Sequence, residues 1–576
     1  MNPAPAPPEL SGSSAPPISA GVRPWRERVE NRLVQAGLAM VLVCMIFFFG
    51  LNVWRTVVGS ESWPETLFLG WLLLCQLFLT FHGLAYFGGI LRVVKAEKQA
   101  DSPVLTTTDL PQLEAYPSVA IAVCAYKEPL DVVEETLICF RNLTYPDRHL
   151  FLLDDTRYDR GDPEEMQAYR LEIEEICRRV GVNLFRREWH GAKAGMINDF
   201  LDFLCRRPRK DFEFTNFQRD TMEDTPKYLA IFDADMNPLP DFVEPLVARL
   251  EADDKMAFVQ TPQYYSNIFS NRMAHGSSMQ QIIFYEYICE GKSLQKIMPC
   301  CGTNVMFRVE ALDSVGGMDD SSITEDFATS LKLHMLGWRS IYLNHICAFG
   351  MGPQDLAGYF KQQFRWALGS VGLLRTVLGR LKEAPRALPV QGWLEYLASV
   401  SYYCVGWIWL SMWMAPILQI FFQFPNATSP PLYTASLFIP YFFASMFIFV
   451  YSLTRRRYRV PDIVTSVALN ALCFPIFMKA SLLGLLGVKG SFGITPKKGA
   501  TSLPLWNLWP QLLVIVVSAA AIAWGLNHVY YGKMGPGSFA ANALWCFYNS
   551  AMVSMVLYFN HPEKPINLFS RRPPRL

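Results

Sequence analysis

Charge is scarce in this sequence, and where it is missing says more than how little there is. Only 18% of the 576 residues are Asp, Glu, Lys or Arg, against 51% hydrophobic. That is too apolar for an ordinary soluble protein and too charged for a bare membrane bundle. The formal net charge is +1, so no overall basic field draws the chain to nucleic acid, and none is expected as a partner. The thirteen cysteines include no CxxC pair and no histidine at zinc-finger spacing, which excludes zinc-finger modules. Cys44, Cys75, Cys404, Cys473 and Cys546 lie in apolar runs, where the expected role is that of a small buried hydrophobe. The cysteines of the middle region fit a reducing compartment.

What is there divides the chain. Residues 1–32 form a Pro-, Ala- and Ser-rich tail ending in Arg23, Arg26, Arg28 and Arg32, and disorder is expected over 1–22. Uncharged runs at 33–54 and 66–91 are each long enough to span a bilayer, and 33–100 reads as two transmembrane helices. From 101 to 388 charge returns and strands alternate with helices. Apolar runs at 119–124, 150–153 and 228–232 read as buried parallel strands, and 163–180 as a helix between them. This is an α/β, Rossmann-like domain with acidic residues just after its strands, where such sheets bind ligands.

No charged residue lies between Glu395 and Arg455, so that stretch must hold two spans, divided at the turn 425–431. Residues 460–487 are expected to form a helix in or near the membrane interface. Uncharged runs within 499–532 and 535–562 complete four helices over 389–562, and 563–576 is a tail. Six spans place both termini, the middle domain, Lys95, Lys98, Arg455-Arg456-Arg457, Lys497-Lys498 and Arg571-Arg572 on one, cytoplasmic, side.

The polar motifs follow in order. Tyr126-Lys127-Glu128 follows the first strand and Asp154-Asp155 the second; a tyrosine can stack on a base and a carboxylate can accept from a base N–H. Lys193, in His190-Gly-Ala-Lys-Ala-Gly195, is set among small residues that let a phosphate approach. Asp233-Ala-Asp235 puts two carboxylates on one side of an extended chain, where Mg²⁺ or Mn²⁺ could bind. Alone, such a common pattern reads more readily as a solvated acidic turn. Thr324-Glu325-Asp326 opens a helix, as a cap or as the site of a general base. Gln362-Gln363-Phe364-Arg365-Trp366 lies on an amphipathic helix over 356–374. Its arginine suits a pyrophosphate and its tryptophan a sugar face, though both also suit a membrane interface.

The order DD, DxD, TED, QQxRW, flanked by apolar runs, resembles the processive family 2 glycosyltransferases, nearest their bacterial cellulose-synthase-like group. Phe492-Gly-Ile-Thr-Pro-Lys497 is similar to that group's FxVTxK gating loop, and Cys301-Gly302-Thr303 to its acceptor turn. The resemblance implies a GT-A-type cytoplasmic domain joined to a multi-span helical membrane domain. It implies a Mg²⁺- or Mn²⁺-dependent hexosyltransferase that builds a β-glucan from UDP-glucose and moves it across a bacterial inner membrane. Tyr126, Glu128, Asp154, Lys193, Asp233, Asp235, Gln362 and Arg365 would hold the donor, with Asp233 and Asp235 on the metal. Asp326 would be the base. Cys301, Gly302, Thr303 and Trp366 would hold the growing polysaccharide, and Phe492, Thr495 and Lys497 would close over UDP.

Thr156-Arg157 departs from the Gly-Gly usual in the family, which leaves donor and linkage open among β-1,3, β-1,4 and mixed products. A chitin- or hyaluronan-type synthase, a non-processive transferase with a lipid acceptor, and a transporter with a degenerate transferase domain are the competing readings. Trp407, Trp409 and Trp413 are candidate stacking platforms for an exiting polymer. No segment like the group's cyclic-di-GMP-binding domain is expected within this chain, which leaves control and export to separate subunits.

Overall fold

The structure, a computed structural model, describes residues 24–58, 62–96, 113–207, 212–219, 222, 224–423, 431–456, 458–488 and 501–561. Residues 1–23, the turn over 424–430 and the loop bearing Phe492, Thr495 and Lys497 lie outside the described residues, and the tail expected to reach residue 32 gives way at Pro24 to the helix Pro24–Val58.

The middle region is built on an eight-stranded mixed sheet and a small three-stranded one. Its strands are β1 (Val119–Ala125), β2 (Arg148–Asp154), β3 (Asn183–Arg187), β4 (Phe212–Thr215), β5 (Tyr228–Asp233), β6 (Met236–Pro238), β7 (Met256–Gln260), β8 (Tyr264–Tyr265), β9 (Val305–Arg308), β10 (Arg339–Tyr342) and β11 (Ala348–Gly350). The large sheet runs β10-β7-β9-β5-β1-β2-β3-β4, and the small one β6-β11-β8. β1 lies parallel to both β2 and β5, and β2 to β3.

The three strands read from sequence are present because helices cover both faces of this sheet. Val119, Ile121 and Val123 pack into one core with Leu137, Phe140 and Ile173, and Ala120 and Ala122 into the other with Phe151, Ile197 and Phe200. A strand buried on both sides is apolar at every position, hence the unbroken runs. The helix Pro163–Val180 has bounds its sequence announces: Asp162 accepts from the N–H groups of Glu164 and Glu165, Pro163 opens it, and Gly181 closes it at φ 76°.

Among the described residues, four helices are long and apolar enough to cross a membrane: Arg32–Val58, Trp63–Ala96, Val390–Phe422 and Leu505–Tyr530. The helices Pro431–Arg455 and Pro536–Phe559 occupy the places of the other two expected spans. The single interface helix expected over 460–487 is corrected. The segment is two helices, Val460–Leu472 and Phe474–Leu485, bent by 49°. Pro475 stands in the first turn of the second; it has no N–H to continue the ladder across the break.

One short segment fastens the sheet domain to the apolar helices. The π-helix Phe284–Cys289 runs directly into the short helix Glu290–Ser293. Arg456, just past the helix Pro431–Arg455, is held by Glu286 and Glu290 and lies over the Tyr287 ring at 4.4 Å. Lys292 reaches Glu395 at 3.2 Å, and Arg92 reaches the same carboxylate at 2.7 Å. Gly291 touches Gly89: a β-carbon on Gly291 would lie 2.9 Å from the Gly89 α-carbon. The same chain then leads, within ten residues, to the Cys301–Thr303 turn.

Candidate active site

The carboxyl ends of β1, β2, β3 and β5 form one row. Asp233 pairs with Cys124, Ala125 with Asp154, and Asp154 with Arg186. Strand order reverses at β1, since β2 and β3 lie on one side and β5 on the other; a crevice opens at such a point.

At that crevice, Lys193 donates to the Asp233 carboxylate at 2.5 Å and to the Gly302 carbonyl at 2.8 Å. Burial opposes the charge on Lys193, but Asp233 outweighs it and holds the ammonium above its ordinary range. Lys193 gets there by a tight turn: Gly191 and Ala192 have φ of 58° and 48°, and a β-carbon on Gly195 would lie 2.3 Å from the His190 carbonyl. Buried Arg187 ties down the turn by donating to the Ala192 carbonyl at 3.0 Å and pairing with Asp155 and Asp199. Asp155, desolvated by burial and opposed only in part by Arg187, is pushed up to about 7.

The acceptor turn is clamped from below. Gln260, fully buried at the end of β7, accepts from the Cys301 N–H at 2.8 Å and donates to the Thr303 carbonyl at 2.7 Å. The Thr303 hydroxyl accepts from the Asp233 N–H at 2.9 Å, so the turn and the DxD segment are joined directly. Gly302, at φ 82°, lies over Asp326: a β-carbon there would be 3.0 Å from Asp326 Oδ2. Asp326 accepts from the Phe327 N–H at 2.7 Å at the start of the helix Glu325–Met335. Burial lifts both Asp326 and Glu325 above the usual carboxylate range, and Glu325 is lifted further by the charge on Asp326.

The QQxRW helix, Leu356–Gly372, packs on this helix start at Gly369, where a β-carbon would meet Thr324 Cγ2 at 2.4 Å. Tyr265 joins the two sides: its hydroxyl meets Gln281 at 2.7 Å and Gln362, and it feels the charge of Asp235. Arg365 and Trp366 are half-buried on the same helix. Thus Lys193, Asp233, Cys301, Gly302, Thr303 and Asp326 form one cluster, and Tyr265 brings Gln362 toward Asp235, two residues on from Asp233.

Asp154 stands apart. Its side chain is 1% exposed and accepts from Arg186 at 2.8 Å, Tyr158 at 2.5 Å and the Thr156 N–H. It forms there a buried ion pair that braces β2 on β3. Tyr126 and Glu128 are half-buried beyond β1, and the Glu128 carbonyl accepts from Tyr169 at 2.8 Å. Trp413 is no platform: it is 2% exposed and packed edge-on against Phe474. Trp407 is 41% exposed, with its N–H on Ser481.

Sequence reasoning missed Gln260, Tyr265 and His334. An amide ending an apolar strand was the available signal for Gln260. His334 joins Tyr396 at 2.6 Å and Ser340 at 2.7 Å, fixing the far end of the Asp326 helix; burial lowers it to about 3 and keeps it neutral.

The family model "Glycosyl transferase family group 2" matches residues 228–456, which run from the DxD strand through the QQxRW helix. A cellulose synthase catalytic subunit of Pseudomonas fluorescens is 26% identical over 92% of this chain and 67% of its own length. Over most of its length the chain is similar to cellulose-synthase-like family 2 glycosyltransferases. A cellulose synthase catalytic subunit of Xanthomonas axonopodis pv. citri is 30% identical over 50% of this chain and 36% of its own length. A putative cellulose synthase of Komagataeibacter xylinus is 25% identical over 90% of it. The chain spans about two thirds of the Pseudomonas relative and 32% of the Komagataeibacter one.

Proposed function

We propose that the protein is a membrane-embedded, processive, inverting glycosyltransferase that transfers glucose from UDP-glucose to the end of a growing β-glucan. The observation that carries this is the single cluster in which Lys193 bridges the Asp233 carboxylate and the Gly302 carbonyl while Gly302 lies over Asp326. Donor-side cation, acceptor turn and base are thereby in mutual contact.

The donor set suits a divalent ion. Asp233 is half-exposed with one oxygen on Lys193, and Asp235 lies two residues on. Among the described residues no group of three His, Cys, Asp or Glu side chains could hold a metal by itself. Two carboxylates completed by water and phosphate oxygens match what Mg²⁺ or Mn²⁺ takes. Such an ion, when bound, offsets the charge that grows on the diphosphate.

The protein's own residues do the rest. Lys193 and Arg365 hold the diphosphate. The Cys301–Thr303 turn and Trp366 hold the acceptor sugar so that its hydroxyl faces the anomeric carbon. Asp326 takes the hydroxyl proton as the new C–O bond forms and the bond to UDP breaks on the opposite face, which inverts the anomeric centre. The apolar helices suit a bacterial inner-membrane enzyme that keeps its sheet domain on the cytoplasmic side and exports its product, alone or with separate subunits.

Purified protein in lipid nanodiscs, supplied with UDP-glucose and Mg²⁺, should release UDP and form a long glucan; linkage analysis then assigns the bond. One sugar per acceptor would establish the non-processive lipid-linked reading instead, and polymer from another UDP-sugar alone would move the donor.

A further inference from the structure

Beyond the phosphate end of the crevice, the same strand row carries a cation and two aromatic rings that the mechanism does not use. Arg157 follows β2 and Trp189 follows β3. The Arg157 guanidinium lies over the Trp189 ring, 4.4 Å from its centroid. Asp159 fixes the guanidinium edge-on, meeting Nε at 3.4 Å and Nη2 at 3.0 Å. Nη1 has no partner among the described residues. Trp189 is 39% exposed and the Arg157 side chain 18%, so the stacked pair is open to solvent beyond the carboxyl ends of β2 and β3. Tyr126, after β1, lies near Arg157 and hydrogen-bonds to no side chain among the described residues.

A planar guanidinium braced on an aromatic ring is a pre-set surface for another flat, polar ring: its face stacks and its free N–H groups donate. Position agrees. Asp233 ends β5, and β1, β2 and β3 follow it in order across the sheet. Arg157 is therefore about 10 Å, two strand spacings, from the diphosphate end. A nucleoside laid from the DxD segment across β1 brings its base to that place.

Resting on the UDP-sugar reading above, the geometry points to Arg157, braced by Trp189, as the residue that recognises the donor's nucleobase. Nη1 donates to a carbonyl oxygen of uracil while Tyr126 lies beside the ring. This assigns base recognition to a rim of Arg157, Trp189 and Tyr126.

The test is UDP binding to the full-length protein by calorimetry, with GDP as the competing nucleotide, alongside KM and kcat for UDP-glucose. Arg157→Ala should raise the UDP Kd and the KM about tenfold, leave kcat within twofold, and shrink the preference for UDP over GDP. Arg157→Lys should not restore it, because an ammonium does not stack as a plane. Trp189→Ala should reproduce the loss and Trp189→Phe recover most of it. Unchanged UDP affinity and UDP/GDP preference in both Arg157→Ala and Trp189→Ala overturns the inference while the donor reading stands. Failure of the unaltered protein to bind UDP overturns the donor reading itself.

Discussion

Gly302 lies directly over the Asp326 carboxylate, with room for a hydrogen but a tight fit for a methyl group: a β-carbon would be 3.0 Å from Oδ2, and the carboxylate would have to give way. The acceptor turn and the base are thus set against each other by the absence of a side chain. Gly302→Ala should add the strain of a left-handed alanine, about 1–2 kcal/mol, and push the turn away from the base. Displacing the acceptor by a fraction of an ångström should lower kcat on the order of 100-fold while the UDP Kd stays near that of the unaltered protein. Steady-state kinetics with UDP calorimetry checks the split; an equal loss in both would place Gly302 on the donor side.

Lys193 is the only side chain seen to touch both the DxD carboxylate and the acceptor turn among the described residues. Lys193→Met keeps the length of the stem and removes the charge. UDP affinity should fall roughly 10- to 100-fold, the value of a charge-assisted hydrogen bond. UDP titration of the variant measures it.

Activity should fall on the acid side well before an ordinary carboxylate titrates. Asp326 works ionised, so its activity is present above its folded pKa and lost as pH falls through it. Burial raises that pKa above the usual value near ~3.9. The acid limb of kcat/KM should therefore lie closer to neutrality. A profile flat to pH ~4 would remove Asp326 as the base. Stability has the opposite sign. A raised folded pKa gives a contribution present below the unfolded value and lost as pH rises through the folded one. Asp326→Asn should thus melt no lower than the unaltered protein at neutral pH.

Arg456 fastens a membrane-side helix to Glu290, whose side chain is 1% exposed. Arg456→Met leaves that carboxylate buried without its cation and should cost about 3–5 kcal/mol. Adding Glu290→Gln should recover most of the loss. Thermal unfolding in detergent, followed by tryptophan fluorescence, reads both; full stability of Arg456→Met alone would show that the pair holds nothing.

Much of the sheet and the order of the motifs were legible in the sequence because each rests on local chemistry. Strands buried on two faces must be apolar throughout, and the helix Pro163–Val180 carries its own stop signals in Asp162 and Gly181. The cluster around Lys193 could be expected from its motifs, but only the fold shows that they touch. What stayed hidden depends on partners far away in the chain. Asp154 reads like Asp155 until β3 brings Arg186 to it. Gln260 becomes a clamp only because the Cys301–Thr303 turn arrives above it. The π-helix Phe284–Cys289 has no local sequence sign; its one carboxylate, Glu286, is explained by Arg456, about 170 positions on.

The central claim is that Asp326 is the base of a polymerising transfer, and one experiment addresses it most directly. Asp326→Asn, purified in nanodiscs with UDP-glucose and Mg²⁺, should bind UDP like the unaltered protein but form polymer about 10²- to 10⁴-fold more slowly. Polymer formed at the unaltered rate would contradict the account.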